Sequence, residues 1–132
     1  MTIKERQDSF VELFNSMPDW TEKFQYLIEL GENIPEMPEE MRTPKNQIEC
    51  NSKIYYVVFP PAGKIHIEGW SNSPIPSGLI AVMKEIFEGC DIVDLRSTEI
   101  NFHIRTNLLG NLTRLRQLSL LKMIGKLKQF CN

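Results

Sequence analysis

The chain has 132 residues, of which 42% are hydrophobic and 24% charged, and its formal net charge is -2 at pH 7. This length and composition suit a single folded domain spanning residues 1–132, and they argue against a disordered or fibrous chain. A net charge so near zero gives no general attraction to nucleic acid. No apolar run approaches the roughly 20 residues that span a bilayer, and the charged start lacks the features of a secretory signal. We therefore expect a cytoplasmic protein that binds neither nucleic acid nor membrane.

Two amphipathic helices are predicted in the first third of the chain. Apolar residues recur at helical spacing in the first helix, which Pro18 ends. In the second, Asp19 is a good N-cap with Glu22 three residues later, and Gly31 ends the helix. We expect the two helices to form an antiparallel hairpin. The apolar positions are Phe10, Leu13, Phe14 and Met17 in the first helix and Trp20, Phe24, Leu27 and Ile28 in the second.

A loop and a β-hairpin follow. Residues 32–46 contain three prolines and several acidic residues, which disfavour regular structure and indicate an extended surface loop. Residues 54–59 are rich in aromatic and β-branched side chains, and residues 60–63 suit a turn. Ile65 and Ile67 then alternate with polar residues. This pattern predicts an antiparallel hairpin with one face exposed to water.

The second half of the chain predicts further helices. A helical stripe of apolar residues begins at Leu79 and closes at Gly89. Residues 91–109 start with helical spacing and then alternate as a strand would, so both structures remain open there. Residues 112–130 are rich in leucine and lack proline, which predicts a terminal helix. Together these elements predict an α+β fold in which helices cover a small antiparallel sheet.

Three cysteines are present, Cys50, Cys90 and Cys131, and long gaps separate them. An odd number at such spacing suits neither a disulfide framework nor the paired ligands of a zinc site. We expect free thiols in a reducing compartment. Cys90 follows the end of a predicted helix, which favours a packing role, whereas Cys131 lies next to the last residue, where chain ends commonly fray.

Cys50 lies in a polar loop before the first predicted strand, unlike a cysteine buried for structural reasons. A thiol must ionise before it can attack. Lys45 and Lys53 favour the thiolate, whereas Glu49 opposes it. These local features alone leave two interpretations open, a reactive thiol and an ordinary free cysteine at a strand edge.

The two histidines offer a different interpretation, a Cys-His hydrolase. Such an enzyme needs a histidine within hydrogen-bond reach of the thiol. His66 alternates with isoleucines, which predicts a place on the outer face of the sheet, and His103 lies in the ambiguous segment. Neither is near Cys50 in the sequence, so a hydrolase would require the fold to bring one of them to the thiol.

The residues around Cys50 resemble the sulfur-acceptor site of the SufE/CsdE family. That family has a Gly-Cys-Gln-Ser string leading into a strand, and this chain has Glu49-Cys50-Asn51-Ser52 at the same place. In both, a tryptophan-led helix, a Leu-Ile-Glu-Leu-Gly string and a proline-containing loop come first. The matching residues are Trp20, the string from Leu27 to Gly31, Pro35, Pro38, Arg42 and Asn46.

Two later segments extend the resemblance over nearly the whole chain. The first, Ser71-Asn72-Ser73, is similar to a Ser-Asp-Ala segment that precedes a Gly-Leu-Ile-Ala helix start, here residues 78–81. The second is similar to a C-terminal Leu-Ser-Pro-Ser-Arg motif, with its arginine kept as Arg116. The chain departs from the family pattern where Glu49 and Ser119 replace glycines and Asn72 replaces an aspartate.

The resemblance implies a SufE/IscU-like fold and a sulfur acceptor that takes persulfide sulfur onto Cys50 and delivers it for iron-sulfur cluster assembly. The implied partners are a cysteine desulfurase of the SufS/CsdA type, which the chain would activate as an accessory protein, and a downstream iron-sulfur scaffold. No metal or cofactor is expected on this chain, since the pyridoxal phosphate belongs to the desulfurase. Cys50 is the implied catalytic residue, and the loop and partner-facing candidates are Glu49, Asn51, Ser52, Ser71, Asn72 and Arg116.

Two alternatives remain open from the sequence. The first is an IscU-like cluster scaffold, which would suit the same order of elements but needs several converging ligands, whereas only Cys50 matches. The second is a SufE-fold interaction module without sulfur transfer through Cys50. The departures at Glu49 and Asn72 favour this second alternative.

Overall fold

The computed structural model describes residues 1–48 and 53–131. Within these residues, six helices cover a three-stranded antiparallel sheet, which confirms the predicted α+β fold class. None of the helices in this part of the chain is both long and apolar enough to cross a membrane. The elements are α1 (Ile3–Ser16), α2 (Trp20–Glu32), β1 (Gln47–Ile48), β2 (Ile54–Phe59), β3 (His66–Ser71), α3 (Pro74–Phe87), α4 (Ile92–Arg96), α5 (Phe102–Arg105) and α6 (Arg114–Lys128).

Side-chain caps fix the start of the first two helices. Thr2 accepts a hydrogen bond from the Glu5 backbone N–H at 3.1 Å, while the Glu5 carboxylate accepts one from the Thr2 N–H at 2.8 Å. Asp19 caps α2 by accepting a hydrogen bond from the Glu22 backbone N–H at 2.9 Å. These bonds satisfy backbone donors that have no partner inside the helix. The cap at Asp19 is the one that the sequence predicted.

The predicted hairpin of α1 and α2 is wrong, because α2 packs mainly on α3. The two helices meet near their connecting turn, where the rings of Phe14 and Trp20 lie 5.8 Å apart. Along its length α2 crosses α3 where Gly31 faces Gly78. A Cβ atom on Gly78 would lie 2.4 Å from the Leu27 carbonyl oxygen, so the missing side chain allows the two backbones to approach. This close crossing holds α2 against α3.

The sheet has the order β1-β2-β3, and all pairs are antiparallel. Ile48 pairs with Ile54, which also pairs with Ser71; we call this the loop end of the sheet. Phe59 pairs with His66 at the opposite end, which we call the turn end. The hairpin of β2 and β3 confirms the prediction. β1 was not predicted, because two residues are too few to show alternation.

α3 is the central helix of the core and packs against α1, α2, β3 and α6. The apolar stripe that predicted this helix is fully buried, as expected for a face pressed on a sheet. The same hydrophobic core takes in Ile3 near the start of the chain and Leu127 near its end. The stripe residues with 0% exposure are Leu79, Val82, Met83, Ile86 and Phe87.

The segment that fitted both helix and strand forms the short helices α4 and α5. The side chain of Gln7, 2% exposed, explains this outcome. Its Oε1 accepts hydrogen bonds from the backbone N–H groups of Asn101 (2.9 Å) and Phe102 (3.0 Å), and its Nε2 donates to the Glu99 carbonyl at 2.8 Å. These bonds satisfy backbone groups that a strand would have paired with a neighbouring strand. The strand alternative is therefore excluded.

α6 confirms the predicted terminal helix and contacts both β2 and α3. Its inward side chains Leu120, Met123 and Leu127 have 0% exposure. Lys126 reaches over the sheet and donates a hydrogen bond to the Tyr56 carbonyl oxygen at 2.6 Å. The desolvated ammonium has a pKa below its usual value because burial disfavours its charge. α6 thus covers β2 by packing and by a direct bond to the strand backbone.

Candidate functional site

The sequence-predicted centre of the site, Cys50, lies outside the described residues together with Glu49, Asn51 and Ser52. Its two flanks are described. Ile48 ends β1 on one side, and Lys53 precedes β2 on the other. The residues around Ile48 and Lys53 therefore form the described part of the candidate site.

The downstream flank is held by the end of β3. Asn72 Oδ1 accepts a hydrogen bond from the Lys53 backbone N–H at 3.1 Å, and Ser71 Oγ donates one to the Lys53 carbonyl at 2.8 Å. Asn72 also donates its backbone N–H to the same carbonyl at 3.3 Å. Both Ser71 and Asn72 were predicted as loop and partner-facing residues. They lie at the loop end, where their side chains bind the backbone next to segment 49–52.

On the upstream side, the Arg42 side chain stabilises the loop 32–46 that leads into β1. The Arg42 guanidinium donates to the Met37 carbonyl from Nε (3.1 Å) and Nη2 (2.8 Å), and it lies over the Trp70 ring at 5.1 Å. Asn46 donates its side-chain N–H to the Met41 carbonyl at 2.9 Å. Arg42 and Asn46 both belong to the family resemblance. Their contacts fold the loop 32–46 so that it leads into β1 at the loop end.

Two exposed lysines lie next to segment 49–52. Lys45 is in a short 3₁₀ turn before β1, and Lys53 directly follows the segment. Neither forms an ion pair with any residue that the structure describes. Unpaired cations of this kind stabilise a nearby thiolate. Positive charge that favours a thiolate is thus available on both sides of Cys50 in the sequence.

Arg116 lies in the first turn of α6 and is half-buried. It precedes the buried Leu120 by four residues and Met123 by seven, so it shares their inward face of the helix. It forms no ion pair with another described residue. Its predicted role as a partner-facing residue stays a prediction.

An open groove of about 280 Å³ lies beside the loop end, between the end of α2 and the start of α3. Hydroxyl and amide groups form one wall, and Ile28 and Pro74 contribute apolar surface. The lining is therefore mixed, and it also includes the Glu32 carboxylate. Its polar wall consists of Ser71, Asn72, Ser73 and Ser77.

His66 lies at the turn end of the sheet, five strand residues from Ser71, or roughly 17 Å. Its Nδ1 is 2.7 Å from Glu88 Oε2 and its Nε2 is 2.7 Å from Glu68 Oε2. Burial alone would lower the pKa of His66, but these two carboxylates outweigh it, so the pKa lies above its usual value. A histidine held in this way is not available as a base at the loop end.

His103, the other histidine, is buried in α5 with 5% exposure and stands edge-on to the Phe102 ring. Burial lowers its pKa, and the charge of Lys128 lowers it further. The neutral imidazole therefore belongs to the core. Neither histidine is placed beside the described flanks Ile48 or Lys53 by any contact, which removes support for a Cys-His hydrolase.

The other two cysteines fit structural roles. Cys90 is buried beyond the end of α3, its thiol donates to the Ile86 carbonyl at 3.6 Å, and burial raises its pKa. Its backbone carbonyl accepts the Ile65 N–H at the turn end. Cys131 is half-buried, with its thiol 4.0 Å from the Leu95 carbonyl oxygen. Among the described residues, no three or more His, Cys, Asp or Glu side chains cluster as a metal site would require.

Comparison with known proteins agrees with this architecture. The profile of the SufE family, described as an Fe-S metabolism associated domain, matches residues 8–131. An uncharacterized SufE-like protein of Rhizobium meliloti (strain 1021) is 30% identical over 127 residues, which cover 92% of this chain and 91% of that protein. An uncharacterized SufE-like protein of Rhizobium etli is 31% identical over 130 residues, which cover 92% of this chain and 86% of that protein.

A solved structure shows the same fold. The solution structure of a hypothetical protein from Thermus thermophilus superposes with a TM-score of 0.67 at 19% identity, covering 95% of each chain. At this identity the likeness concerns the fold. The match of residues 8–131 carries the assignment, and the chain belongs to the SufE family, whose domain is associated with iron-sulfur metabolism.

Proposed function

We propose that this protein is a sulfur acceptor, which takes persulfide sulfur from a cysteine desulfurase onto Cys50 and delivers it for iron-sulfur cluster assembly. The observation that carries the proposal is the family match over residues 8–131, a stretch that includes Cys50 at the sulfur-accepting position of the family string. The protein would act as an accessory partner that activates the desulfurase in the cytoplasm rather than as an independent enzyme.

The proposed chemistry is a thiolate exchange at sulfur. The Cys50 thiolate attacks the outer sulfur of the persulfide on the desulfurase cysteine, and a new S–S bond forms as the old one breaks. The desulfurase cysteine leaves as a thiolate, and the transferred sulfur keeps its proton. No oxidant or reductant is consumed, because the sulfane sulfur keeps its oxidation level. The step needs an ionised thiol and access for a partner, but it needs no general base.

The described flanks support a site that is anchored at both ends. β1 is paired with β2 at Ile48, and the Lys53 backbone is bonded to Ser71 and Asn72. Chain continuity tethers Cys50 to this end of the sheet. Flanks that are already held lower the entropy cost of presenting the thiol to a partner, since their backbone loses less conformational freedom in the encounter.

The charges around this end support an acceptor thiolate. Lys45 and Lys53 are cations without an ion-pair partner among the described residues, whereas Glu49 places a negative charge next to Cys50 in the sequence. The two lysines favour the ionised thiol in the transfer step, and Glu49 opposes it. We propose no resident metal or cofactor on this chain. Pyridoxal phosphate would belong to the partner desulfurase of the SufS/CsdA type.

Intact-mass measurement tests the proposal directly. The protein is incubated with the cysteine desulfurase of its organism and free cysteine, then weighed without reductant. We expect a gain equal to one or more sulfur atoms, and we expect Cys50→Ser to remain unloaded. Cys90→Ser and Cys131→Ser serve as matched controls and should load like the wild type. Equal loading of Cys50→Ser would overturn the assignment of Cys50.

The same experiment separates the alternatives. An interaction module with the SufE fold, which the Glu49 and Asn72 departures favour, would bind the desulfurase without gaining mass. An IscU-like scaffold would bind iron and sulfide on several ligands and develop a stable cluster absorbance on reconstitution. The positions of Cys90 and Cys131 argue against it, because neither thiol is linked by any described contact to the flanks of Cys50.

A further inference from the structure

The outward face of α6 carries three exposed leucines that no described element covers. Leu115, Leu118 and Leu121 are 38%, 47% and 44% exposed and recur every three residues. That spacing places them side by side along one face of the helix. The opposite face of α6 fills the core, whereas these leucines are not part of the core cluster of the described residues. We call the face formed by Leu115, Leu118, Leu121 and Gly125 the outer stripe.

All the charged side chains of α6 (Arg114–Lys128) are basic. Arg114, Lys122 and Lys128 are exposed on the same side of α6, and none forms an ion pair with a described residue. Residues 100–132 contain six Lys or Arg and no Asp or Glu, a formal charge of +6. The other nine basic and all 17 acidic residues precede residue 100, which gives that part a charge of -8. Three of these six cations, Arg114, Lys122 and Lys128, lie on the side of α6 that carries the outer stripe.

Gly125 continues the outer stripe and has no structural reason to be glycine within the described residues. A Cβ atom built on it would meet nothing within 4 Å. Glycine inside a helix is less stable than alanine, so its presence here weakens α6 without a gain in packing. Glycine on an exposed helix face does allow another backbone to approach closely. Gly125 thus points to a contact that forms outside this chain.

We propose that the outer stripe is a docking surface for a protein partner whose apolar strip is flanked by Asp or Glu side chains. Leucines would provide the apolar contact, and the bordering cations would select acidic flanks and steer the encounter. The surface is separate from the chemistry proposed for Cys50 and does not depend on it. Three partly exposed leucines form a small contact, which suits a transient complex rather than a permanent one.

Two other classes of occupant fit the outer stripe less well. A phosphate backbone would use the cations but leave Leu115, Leu118 and Leu121 without a partner. A bilayer requires an apolar face that enters the interface by roughly 5–10 Å. More than half of each leucine side chain is already covered by its own neighbours, and the rest of α6 is fixed in the core. An acidic protein surface uses both the leucines and the charges.

A binding assay with a defined probe tests the proposal on the full chain. The probe is a fluorescein-labelled synthetic helical peptide with a leucine stripe bordered by glutamates, followed by anisotropy. Matched peptides carry lysine in place of every glutamate, or serine in place of every leucine. Vesicles of phosphatidylcholine and phosphatidylglycerol and a single-stranded oligouridine are tested in parallel. We expect the glutamate-leucine peptide to bind tightest among all these probes.

Two leucines of equal exposure provide the matched variants. Leu118→Glu should weaken peptide binding at least about tenfold, since it places like charges face to face. Leu13→Glu on α1, where the leucine is also 47% exposed, should change binding less than about twofold. Gly125→Ala should weaken binding while raising the melting temperature. Equal binding of the lysine peptide, tighter binding of vesicles or oligouridine, or unchanged binding by Leu118→Glu would overturn the proposal.

Discussion

The Lys53 backbone N–H donates a hydrogen bond to Asn72 Oδ1 at 3.1 Å, which links the residue after segment 49–52 to the end of β3. Removing this acceptor in Asn72→Ala should release the amide. One such bond contributes about 1 kcal/mol, so hydrogen exchange at the Lys53 amide should become about fivefold faster. Amide exchange followed by NMR measures this directly.

Asn72→Asp is the informative control for that experiment. Aspartate is the family residue at this position, and its carboxylate retains an oxygen that accepts the Lys53 N–H. Exchange at the Lys53 amide should stay within about twofold of the wild-type rate, because the bond to the charged acceptor is at least as strong. Equal exchange rates in the wild type and in Asn72→Ala would show that Asn72 does not hold this flank.

The buried Gln7 side chain predicts a large stability loss when it is made apolar. Gln7→Leu would leave the N–H groups of Asn101 and Phe102 and the carbonyl of Glu99 without their partner. Buried backbone groups without hydrogen bonds are costly, so the free energy of unfolding should fall by about 2 kcal/mol or more. Urea denaturation measures this change. Gln25→Leu, at an exposed position of α2, should shift the free energy of unfolding by less than about 0.5 kcal/mol.

Substitution of Gly78 at the crossing of α2 and α3 and of Gly125 on α6 should have opposite effects on stability. Gly78→Ala places a Cβ atom 2.4 Å from the Leu27 carbonyl oxygen, so the helices must separate, at a cost of about 1–3 kcal/mol. Gly125→Ala meets no neighbour within 4 Å and should stabilise the fold by about 0.5–1 kcal/mol. Melting temperatures of the two variants should therefore move in opposite directions. A stabilising Gly78→Ala would contradict the close crossing.

The His66 cluster predicts a pH-dependent stability. The carboxylates of Glu68 and Glu88 raise the pKa of His66 above its unfolded value of 6.5, despite the opposing effect of burial. The protonated imidazole therefore stabilises the fold fully below that unfolded pKa, and this contribution is lost as the pH rises through the higher folded pKa. Between about pH 6 and pH 8 the wild type should lose a few tenths to about 1 kcal/mol.

Replacing the histidine isolates this effect. His66→Gln keeps a polar side chain but cannot titrate, so its stability should vary less with pH over the same range. The contribution of Glu88 to stability changes at acidic pH instead. The folded pKa of Glu88 lies below its usual value, because the hydrogen bonds from the Ile67 N–H and from His66 outweigh burial. Its contribution should be lost only as the solution becomes acidic. Identical pH profiles for the wild type and His66→Gln would contradict the cluster's role.

The buried Cys90 thiol predicts slow alkylation. Burial raises its pKa and limits access, so little reactive thiolate is present near neutral pH. In the native protein, iodoacetamide should modify the half-buried Cys131 at least about tenfold faster than Cys90. Peptide mass spectrometry over time gives both rates. Urea should make the two rates similar, and a fast native reaction at Cys90 would contradict its burial.

Local patterns in the sequence determined most of the elements. The cap at Asp19, the apolar stripe from Leu79 and the alternation around Ile65 and Ile67 act between residues a few positions apart, so they can be recognised without the fold. The packing of α2 could not be recognised in this way. It depends on Gly31 meeting Gly78, and no local pattern shows which glycines face each other.

For the candidate site, too, the sequence predicted some features and only the fold showed others. Cys50 was identified as a candidate because Glu49-Cys50-Asn51-Ser52 resembles the Gly-Cys-Gln-Ser string of the family. In the described fold, its neighbours Ile48 and Lys53 lie at the loop end of the sheet. Ser71 and Asn72 were predicted as loop and partner-facing residues, and this stays a prediction. Their side chains bind the backbone of Lys53, 18 and 19 residues away in sequence. Hydrogen bonds over such separations exist only after β2 and β3 have paired.

By itself, the sequence determined most of the helices, the β-hairpin, the resemblance to the SufE family and the choice of Cys50 as the candidate residue, because periodicity, capping and short motifs act over a few residues. Tertiary structure alone decided that α2 packs on α3 rather than on α1, that the segment 91–109 contains the short helices α4 and α5 rather than a strand, and that no other described element covers the outer stripe of α6. The physical reason is that close packing and the pairing of buried polar groups depend on which distant residues meet.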